Sequence, residues 1–151
     1  GESEWMPKMI ASGTIPILVR TPSLINGRRK FDGGIADPLP VVKAYEMGAK
    51  KIIVIRTHEK KFRRKLKIEK YIGALLSREY PKLRRALLEH HKIYNRALDF
   101  INNPPKDCEI VQLCPPEKLK SKRDSKNIEI LKEDYKLGKK VAEEYLDDLK
   151  F

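Results

Sequence analysis

The sequence contains little cysteine and no long apolar run. Its two cysteines, Cys108 and Cys114, flank a segment that predicts a strand over 109–113. A strand rises about 3.3 Å per residue, so the two positions lie roughly 20 Å apart, beyond the reach of a disulfide bond. No apolar run approaches the roughly 20 residues that a membrane-spanning helix requires. These absences exclude a disulfide scaffold and a transmembrane helix, and they favour two reduced, buried cysteines.

Aromatic residues and clustered metal ligands are also scarce. Aromatic side chains make up 7% of the chain, which is few for stacking on nucleic-acid bases, and no helix-turn-helix or zinc-finger pattern is present. The cysteines have no second pair and no histidine nearby, so we expect no metal and no cofactor. The first residues, Gly-Glu-Ser-Glu, lack the basic-then-apolar pattern of a secretory signal. We expect a cytoplasmic protein, with room for peripheral contact at the inner membrane surface.

What the chain has in excess is positive charge. Lysine and arginine number 33 against 21 aspartates and glutamates, a formal net charge of +12, which favours an anionic partner. The charge is densest in residues 56–67, which include five candidate contacts for an anionic surface: Lys60, Lys61, Arg63, Arg64 and Lys65. Two interpretations stay open, because a basic helix can lie on an anionic membrane or can be a solvated face. Nucleic acid is the less favoured partner, since its motifs are missing.

The N-terminal part of the chain predicts short strands that lead to one acidic residue. Residues 15–19 are an extended segment or a strand. Asn26-Gly27 is the usual pair for a tight hairpin turn, and residues 29–31 then form a short returning strand. This strand delivers the chain to Asp32.

A helix and a buried strand are predicted next. Asp37 is a plausible N-cap with Pro38 at the first helical position, and the helix ends near Met47 with Gly48 as its C-cap. Residues 51–57 hold the run Ile-Ile-Val-Ile. An apolar run without alternation predicts a central parallel strand that is covered on both faces.

The rest of the chain predicts three helices and one strand. A helical region follows Thr57, with apolar positions at Phe62, Leu66, Ile72, Leu75 and Leu76. After Pro81, a second helix has one buried stripe at a spacing of three and four residues: Leu83, Leu87, His90, Tyr94, Ala97 and Ile101. A strand over 108–114 and a charged loop over 117–127 lead to a last helix over 128–149. Its predicted inward residues are Leu131, Tyr135, Val141, Ala142, Tyr145 and Leu149.

The most informative stretch is Asp32-Gly33-Gly34, which precedes Ile-Ala-Asp-Pro-Leu-Pro-Val-Val. Glycine lacks a Cβ, so backbone or substrate can approach it closely. Asp32 is therefore a candidate catalytic base held on a rigid turn, and Gly33 and Gly34 are candidates for shaping the turn or contacting substrate. The alternative is an ordinary turn, since aspartate and glycine are common turn residues.

Several segments together resemble one enzyme family. Asp-Gly-Gly, Pro-Leu-Pro-Val and then Gly-Ala-Lys-Lys-Ile-Ile-Val-Ile-Arg-Thr (48–57) resemble the second catalytic block of patatin-like phospholipases. Ala-Ser-Gly-Thr-Ile-Pro (11–16) is similar to the segment before that block. Glu-His-His-Lys-Ile-Tyr-Asn (89–95) and Leu-Lys-Glu-Asp-Tyr-Lys-Leu-Gly (131–138) are similar to the tail of the bacterial branch.

The resemblance implies the C-terminal half of a serine acyl hydrolase that cleaves lipid esters, of the phospholipase A or lysophospholipase type. It implies a three-layer α/β/α fold with a mainly parallel sheet, in which residues 1–57 belong to the catalytic core and residues 58–151 form a helical extension with one strand. Asp32 would be the base of a Ser–Asp dyad. The family's Gly-x-Ser-x-Gly nucleophile motif is absent from this chain, so residues 1–151 alone are expected to be inactive.

A second hypothesis is that the chain binds a partner and catalyses no reaction. The net charge and the basic run over 60–65 also fit a non-catalytic module that binds an anionic membrane or nucleic acid. The two hypotheses differ on Asp32, which only the hydrolase requires.

Overall fold

The computed structural model describes residues 5–15, 23–66, 80–122 and 124–146. By its internal contacts the chain divides into unit 1, residues 1–40 with 63–99, and unit 2, residues 41–62 with 100–151. The elements in chain order are α1 Trp5–Ser12, β1 Ser23–Ile25, β2 Arg28–Lys30, a 3-10 helix Gly33–Ile35, α2 Val41–Glu46, β3 Lys51–Ile55, α3 Pro81–Asn102, β4 Glu109–Leu113 and α4 Ile128–Leu146. The described fold is mixed α/β, with one small antiparallel sheet and one small parallel sheet.

Unit 1 contains the predicted hairpin. β1 and β2 pair antiparallel, with Ile25 opposite Arg28. Asn26 and Gly27 both have positive φ, 50° and 68°, which is the conformation that a two-residue hairpin turn of this hand requires. The Asn-Gly prediction is confirmed, and the returning strand begins one residue earlier than expected.

The buried side chains of unit 1 come mainly from α3. Leu87, His90, Tyr94 and Ala97 of the predicted stripe are buried, as is Leu98, which is 2% exposed. Thr14, after α1, is also buried, and its hydroxyl donates to the Ile10 carbonyl at 3.0 Å. The helical spacing therefore identified the buried face of α3, because burial of one stripe is what stabilises a helix of this length.

Unit 2 is built on the parallel pair of β3 and β4. Their register runs from Lys51 opposite Glu109 to Ile55 opposite Leu113. The sequence predicted both strands and a parallel sheet for β3, but not that these two strands pair. The turn after α2 passes through Gly48 at a φ of 99°, which confirms the predicted glycine stop. α4 begins after Asn127, whose Oδ1 accepts from the Glu129 backbone N–H at 2.9 Å.

Two predictions in this part of the chain were wrong. α2 begins at Val41, not at Asp37 and Pro38, because Pro40 disfavours a helical conformation for the preceding residue. β3 is not covered on both faces in the described structure. Val54 is buried, whereas Ile53 and Ile55 are 46% and 77% exposed, so the strand alternates between a covered face and an open face.

The helix predicted after Thr57 is absent from residues 58–66, which form turns and irregular backbone. The reason is visible at Arg64, whose backbone N–H and carbonyl both bond to the Asn95 side chain at 2.9 Å. Those groups are therefore not available to a helical ladder. The remainder of that predicted helix, residues 67–79, lies outside the described residues, as does the predicted strand over 15–19 except for Ile15.

The inward face predicted for α4 was also wrong in part. Leu131, Tyr135 and Tyr145 are exposed, and Val141 and Ala142 are half-buried; Leu149 lies outside the described residues. Helical spacing identifies an apolar face, but it does not show how much of that face packs against other elements. Within the described ranges, no helix combines the length and apolar character that crossing a membrane would need.

Candidate functional site

Asp32 lies at the end of the hairpin in unit 1, directly before the 3-10 helix. Its backbone N–H donates to the Thr14 carbonyl at 3.0 Å. The preceding ring, Phe31, packs edge-on against Tyr80, with centroids 5.4 Å apart. Because Thr14 is itself buried, these contacts anchor the aspartate backbone to the interior of the unit. The side chain is half-buried.

The carboxylate of Asp32 closes the turn that follows it. Its Oδ1 accepts from the Gly34 backbone N–H at 2.8 Å, so it caps the 3-10 helix as a short acceptor caps an α-helix. Within the described part of the chain, the other oxygen, Oδ2, makes no hydrogen bond. One oxygen therefore fixes the orientation of the carboxylate, and the second remains available as a proton acceptor.

The two glycines of the turn face different surroundings. A Cβ on Gly34 would lie 3.2 Å from Asp32 Oδ1, whereas a Cβ on Gly33 would meet nothing within 4 Å. Gly34 thus permits the close approach of the carboxylate to its own backbone. Gly33 faces open space, where a side chain would be tolerated.

His90 also holds the turn in place. Its Nε2 lies 3.0 Å from the Gly34 carbonyl, a geometry that requires the tautomer with its proton on Nε2. The ring is buried on the predicted stripe of α3. The sequence analysis identified His90 only as part of a buried face. Its contact with Gly34 spans a separation of 56 residues, which no local pattern reveals.

A cavity of about 630 Å³ opens beside this turn in unit 1, and we call it the cationic cavity. Gly33 forms part of its wall. In the part of the chain that the structure describes, its basic lining residues are Lys8 of α1, and Arg28 and Lys30 of β2. Its other lining residues are apolar or uncharged: Ala11, Ser12, Ile25, Asn26 and Phe31.

Sequence analysis missed the cations of this cavity. Arg28-Arg29-Lys30 is separated from Asp32 by one residue, and the sequence pattern predicts only a short strand over 29–31. In the structure Arg29 is hydrogen-bonded to the Tyr80 hydroxyl, whereas Arg28 and Lys30 line the cavity. Arg29 differs from Arg28 and Lys30 because successive side chains of a strand point to opposite faces. Ser12 is also at the cavity, and its hydroxyl donates to the Met9 carbonyl at 3.0 Å.

The predicted anionic-surface residues have unequal roles. Lys60, Lys61 and Lys65 are exposed. Arg63 forms an ion pair with Asp99, and its hydrogen bond holds the pKa of that carboxyl below its ordinary value. The backbone N–H and carbonyl of Arg64 both bond to the Asn95 side chain, and the Arg64 guanidinium lies 5.8 Å from the Tyr94 ring centre. The two arginines therefore secure residues 63–64 to α3, and Arg63 does so from an exposed position where its charge is paired with Asp99.

Unit 2 carries a buried cation that serves structure. Arg56 is 6% exposed. Its backbone N–H extends the sheet by donating to the Leu113 carbonyl at 2.9 Å, and its guanidinium bonds to Gln112 Oε1 at 3.1 Å. Longer contacts, at 3.4–3.5 Å, join it to the carbonyls of Glu59, Lys60 and Phe62. Arg56 thereby closes the loop that follows β3.

A second recess, which we call the apolar groove, lies at the carboxyl ends of β3 and β4 in unit 2. Its volume is about 460 Å³. α4 supplies one wall through Tyr135, Gly138, Val141 and Ala142, and the strand ends supply Ile55 and Leu113. Asp134 at its margin accepts from the backbone N–H of Ser121 at 2.7 Å and of Lys120 at 3.2 Å.

A charged cluster elsewhere in unit 2 tethers α2 to the turn before β4. Asp107 accepts from the Lys50 ammonium at 2.6 Å and from the Tyr45 hydroxyl at 2.9 Å. The bond from Lys50, followed by that from Tyr45, lowers the pKa of Asp107, and Asp107 in turn raises the pKa of both partners. Across the residues that the structure describes, no group of histidine, cysteine and acidic side chains is arranged to hold a metal ion.

Comparison with known proteins gives two matches. Residues 80–150 match a domain of unknown function, DUF6363. The chain is 33% identical over 153 residues to the uncharacterized protein YjjU of Escherichia coli (strain K12), a match that covers 96% of this chain. This chain spans 41% of the length of that relative. No solved structure matches the chain.

Proposed function

We propose that this chain is part of a patatin-like serine acyl hydrolase that cleaves lipid carboxylic esters, with Asp32 as the base of a Ser–Asp dyad. The observation that carries the proposal is the carboxylate itself. Oδ1 is fixed by the Gly34 N–H at 2.8 Å, and Oδ2 is left as an acceptor on the residue between Phe31 and Gly33, which both line the cationic cavity. A general base must first have an oxygen within hydrogen-bond reach of the proton that it takes.

The proposed reaction has two steps. A serine hydroxyl, within about 2.6–3.2 Å of the free carboxylate oxygen, gives its proton to Asp32 as it attacks the ester carbonyl. Asp32 gives this proton to the alcohol that leaves as the acyl-enzyme forms. It then takes a proton from water, which attacks the acyl-enzyme, and returns that proton to the serine oxygen as the fatty acid is released. No serine of this chain has glycine at both −2 and +2. We therefore assign the nucleophile to a segment outside these 151 residues.

The finer fold belongs to the same proposal. The parallel pair of β3 and β4 would be part of a larger, mainly parallel sheet in a three-layer α/β/α arrangement. The open face of β3, with Ile53 and Ile55 exposed, supports a further layer that covers this face in the natural polypeptide, since both faces of a parallel sheet are ordinarily covered. The boundary at residue 57 between core and helical extension remains a prediction.

The alternative hypothesis, a basic module that binds an anionic membrane or nucleic acid, has weaker support. Arg63 and Arg64 were two of its five contacts, and their side chains and backbone bond within the protein. Lys60, Lys61 and Lys65 remain exposed. A hydrolase with a peripheral membrane contact can use these lysines as well, so they do not separate the two hypotheses.

The test is Asp32→Asn in the natural polypeptide that contains these residues. Asparagine keeps the Oδ1 acceptor for Gly34 and replaces the free oxygen by an amide that accepts no proton. We expect ester hydrolysis to fall about 10²- to 10⁴-fold, with an unchanged circular dichroism spectrum. The rate of labelling by a fluorophosphonate probe should fall with it.

The matched control is Asp37→Asn, because Asp37 is an exposed aspartate in the same segment. We expect this variant to hydrolyse the ester and to label at the parent rate. Normal hydrolysis by the Asp32→Asn protein, or no labelling of the parent protein, would overturn the proposed function.

A further inference from the structure

We propose that the cationic cavity binds a phosphate group, supplied either by a phospholipid ester or by a soluble phosphate ester. In its lipid form the inference rests on the proposed function, because the phosphate would then belong to the substrate whose ester Asp32 helps to cleave.

Charge is the first argument. Lys8, Arg28 and Lys30 line one cavity, and among the described residues that line it none is acidic. Charges of one sign around a concave surface focus the potential inside it and raise the local concentration of an opposite ion. A guanidinium binds phosphate through two parallel hydrogen bonds, and lysine adds a mobile point charge.

Size and the apolar wall are the second argument. The volume of about 630 Å³ falls within the range of roughly 300–1,000 Å³ that small-molecule sites occupy. Ala11, Ile25 and Phe31 form an apolar part of the lining, so the cavity offers contact to carbon atoms as well as to an anion. A phosphate ester has both parts, whereas a simple inorganic anion needs only the charges.

Position is the third argument. Gly33 belongs to the cavity wall and follows Asp32 directly, and neighbouring Cα atoms are about 3.8 Å apart. In a glycerophospholipid, the phosphate and the acyl esters are attached to the same three-carbon glycerol. A phosphate held by the cavity would therefore keep a carboxylic ester within reach of the Asp32 carboxylate.

The test compares two double variants of the natural polypeptide that lose equal charge. Arg28→Gln with Lys30→Gln removes two cations of the cavity. Lys82→Gln with Arg84→Gln is the control, because both are exposed on α3 in the same unit and lie outside the cavity lining. All four residues are exposed, so the folds should survive, and circular dichroism verifies this.

Two binding measurements, neither of which needs turnover, identify the ligand. The first is equilibrium dialysis with radiolabelled sn-glycerol 3-phosphate. The second is sedimentation with vesicles of phosphatidylcholine, compared with vesicles of equal parts phosphatidylcholine and phosphatidylglycerol. Loss of hydrogen bonds to a charged group should weaken binding about tenfold or more in the cavity variant, while the control variant binds as the parent does.

Each outcome bears on the inference. If the cavity variant binds the anionic vesicles more weakly than the parent does, and the control variant does not, the site binds a lipid phosphate. Weaker binding of glycerol phosphate alone supports the site with a soluble ester as its ligand. Equal losses in both variants reveal general charge attraction and overturn the inference, as does no loss in either arm. If Asp32→Asn keeps full activity while the cavity variant loses binding, the proposed function fails and the phosphate site stands.

Discussion

The cationic cavity of unit 1 and the apolar groove of unit 2 differ in what their charged residues do. In the cavity, Arg28 and Lys30 are exposed and line the space. At the groove, Arg56 is buried, and its guanidinium bonds to Gln112 and to the carbonyls of the following loop. The comparison teaches that a cation marks a ligand site only when its N–H groups are not already used by the protein.

The same distinction applies to the two loops that follow the strands. After β2, the chain turns through Asp32, whose carboxylate is held by one oxygen. After β3, it turns around Arg56, whose donors point to several backbone carbonyls. The first arrangement leaves an acceptor for chemistry, whereas the second uses the guanidinium of Arg56 to bond partly buried carbonyls of the protein itself.

Arg56→Lys tests whether the buried arginine of unit 2 has a structural role that the cavity cations lack, and it should have the largest effect on stability. Lysine keeps the charge but lacks the planar fork that reaches Gln112 and the loop carbonyls together. We expect the free energy of local opening to fall by about 1–3 kcal/mol, because buried acceptors lose their partner. Native-state hydrogen exchange of the Arg56 amide, which donates to Leu113, measures it in the natural polypeptide.

The control for that prediction is Arg28→Lys, the same chemical change on an exposed cation of the cavity. Its effect on opening should stay within about 0.5 kcal/mol, as for ordinary surface positions. Equal exchange in the Arg56→Lys variant and the parent would show that the two arginines do not differ in role, and the comparison would break.

A smaller effect is expected on activity from Gly34→Ala. The new Cβ would lie 3.2 Å from Asp32 Oδ1, so the carboxylate must shift by a few tenths of an ångström. Since misplacement by about 1 Å can cost roughly 100-fold in rate, we expect kcat for ester hydrolysis to fall about tenfold. Steady-state kinetics on a soluble ester measures it.

On a soluble ester that carries no phosphate, and so does not use the cationic cavity that Gly33 lines, Gly33→Ala is the matched control for this turn, because a Cβ there meets nothing within 4 Å. Neither glycine has a positive φ that alanine would resist, so the two variants differ in the approach to Asp32 and not in backbone strain. A loss of rate in Gly33→Ala as large as in Gly34→Ala would contradict a specific role for the Asp32–Gly34 contact.

The sequence predicted those features that depend on neighbouring residues. Asn26-Gly27 predicted the hairpin because both positions need positive φ, and the 3–4 spacing of Leu87, Tyr94 and Ala97 predicted the buried face of α3. Two short apolar runs predicted the strands β3 and β4, but not that these two strands pair with each other. In each correct prediction the deciding residues lie close together in the sequence.

Features that depend on distant partners were missed. Arg63 and Arg64 were predicted to lie on a helix, but they bond to Asp99 and Asn95, each with a sequence separation that no pattern spans. The cationic cavity joins Lys8 of α1 to residues of β2, so only the folded hairpin brings its charges together. Asp32 was identified from its motif, and its role as the base of a dyad remains a prediction.

The smallest predicted effect concerns acid and the margin of the apolar groove. Hydrogen bonds, first from the Ser121 side chain and then from its backbone N–H, hold the pKa of Asp134 below its ordinary 3.8. Because the folded form binds a proton less readily than the unfolded chain, this carboxylate stabilises the fold above pH 3.8, and its contribution is lost as pH falls through the lowered pKa.

Asp134→Asn should therefore raise hydrogen exchange at the Ser121 amide at neutral pH, and its difference from the parent should shrink below pH 3.8. Asp124→Asn, at an exposed carboxylate on the same segment, controls for the loss of charge and should exchange as the parent does at every pH. Because the affected bonds join the 120–121 backbone to α4, phosphate binding in unit 1 should not change. If Asp134→Asn also lowers the affinity for glycerol phosphate, the effect of Asp134 is not confined to unit 2, and this prediction is wrong.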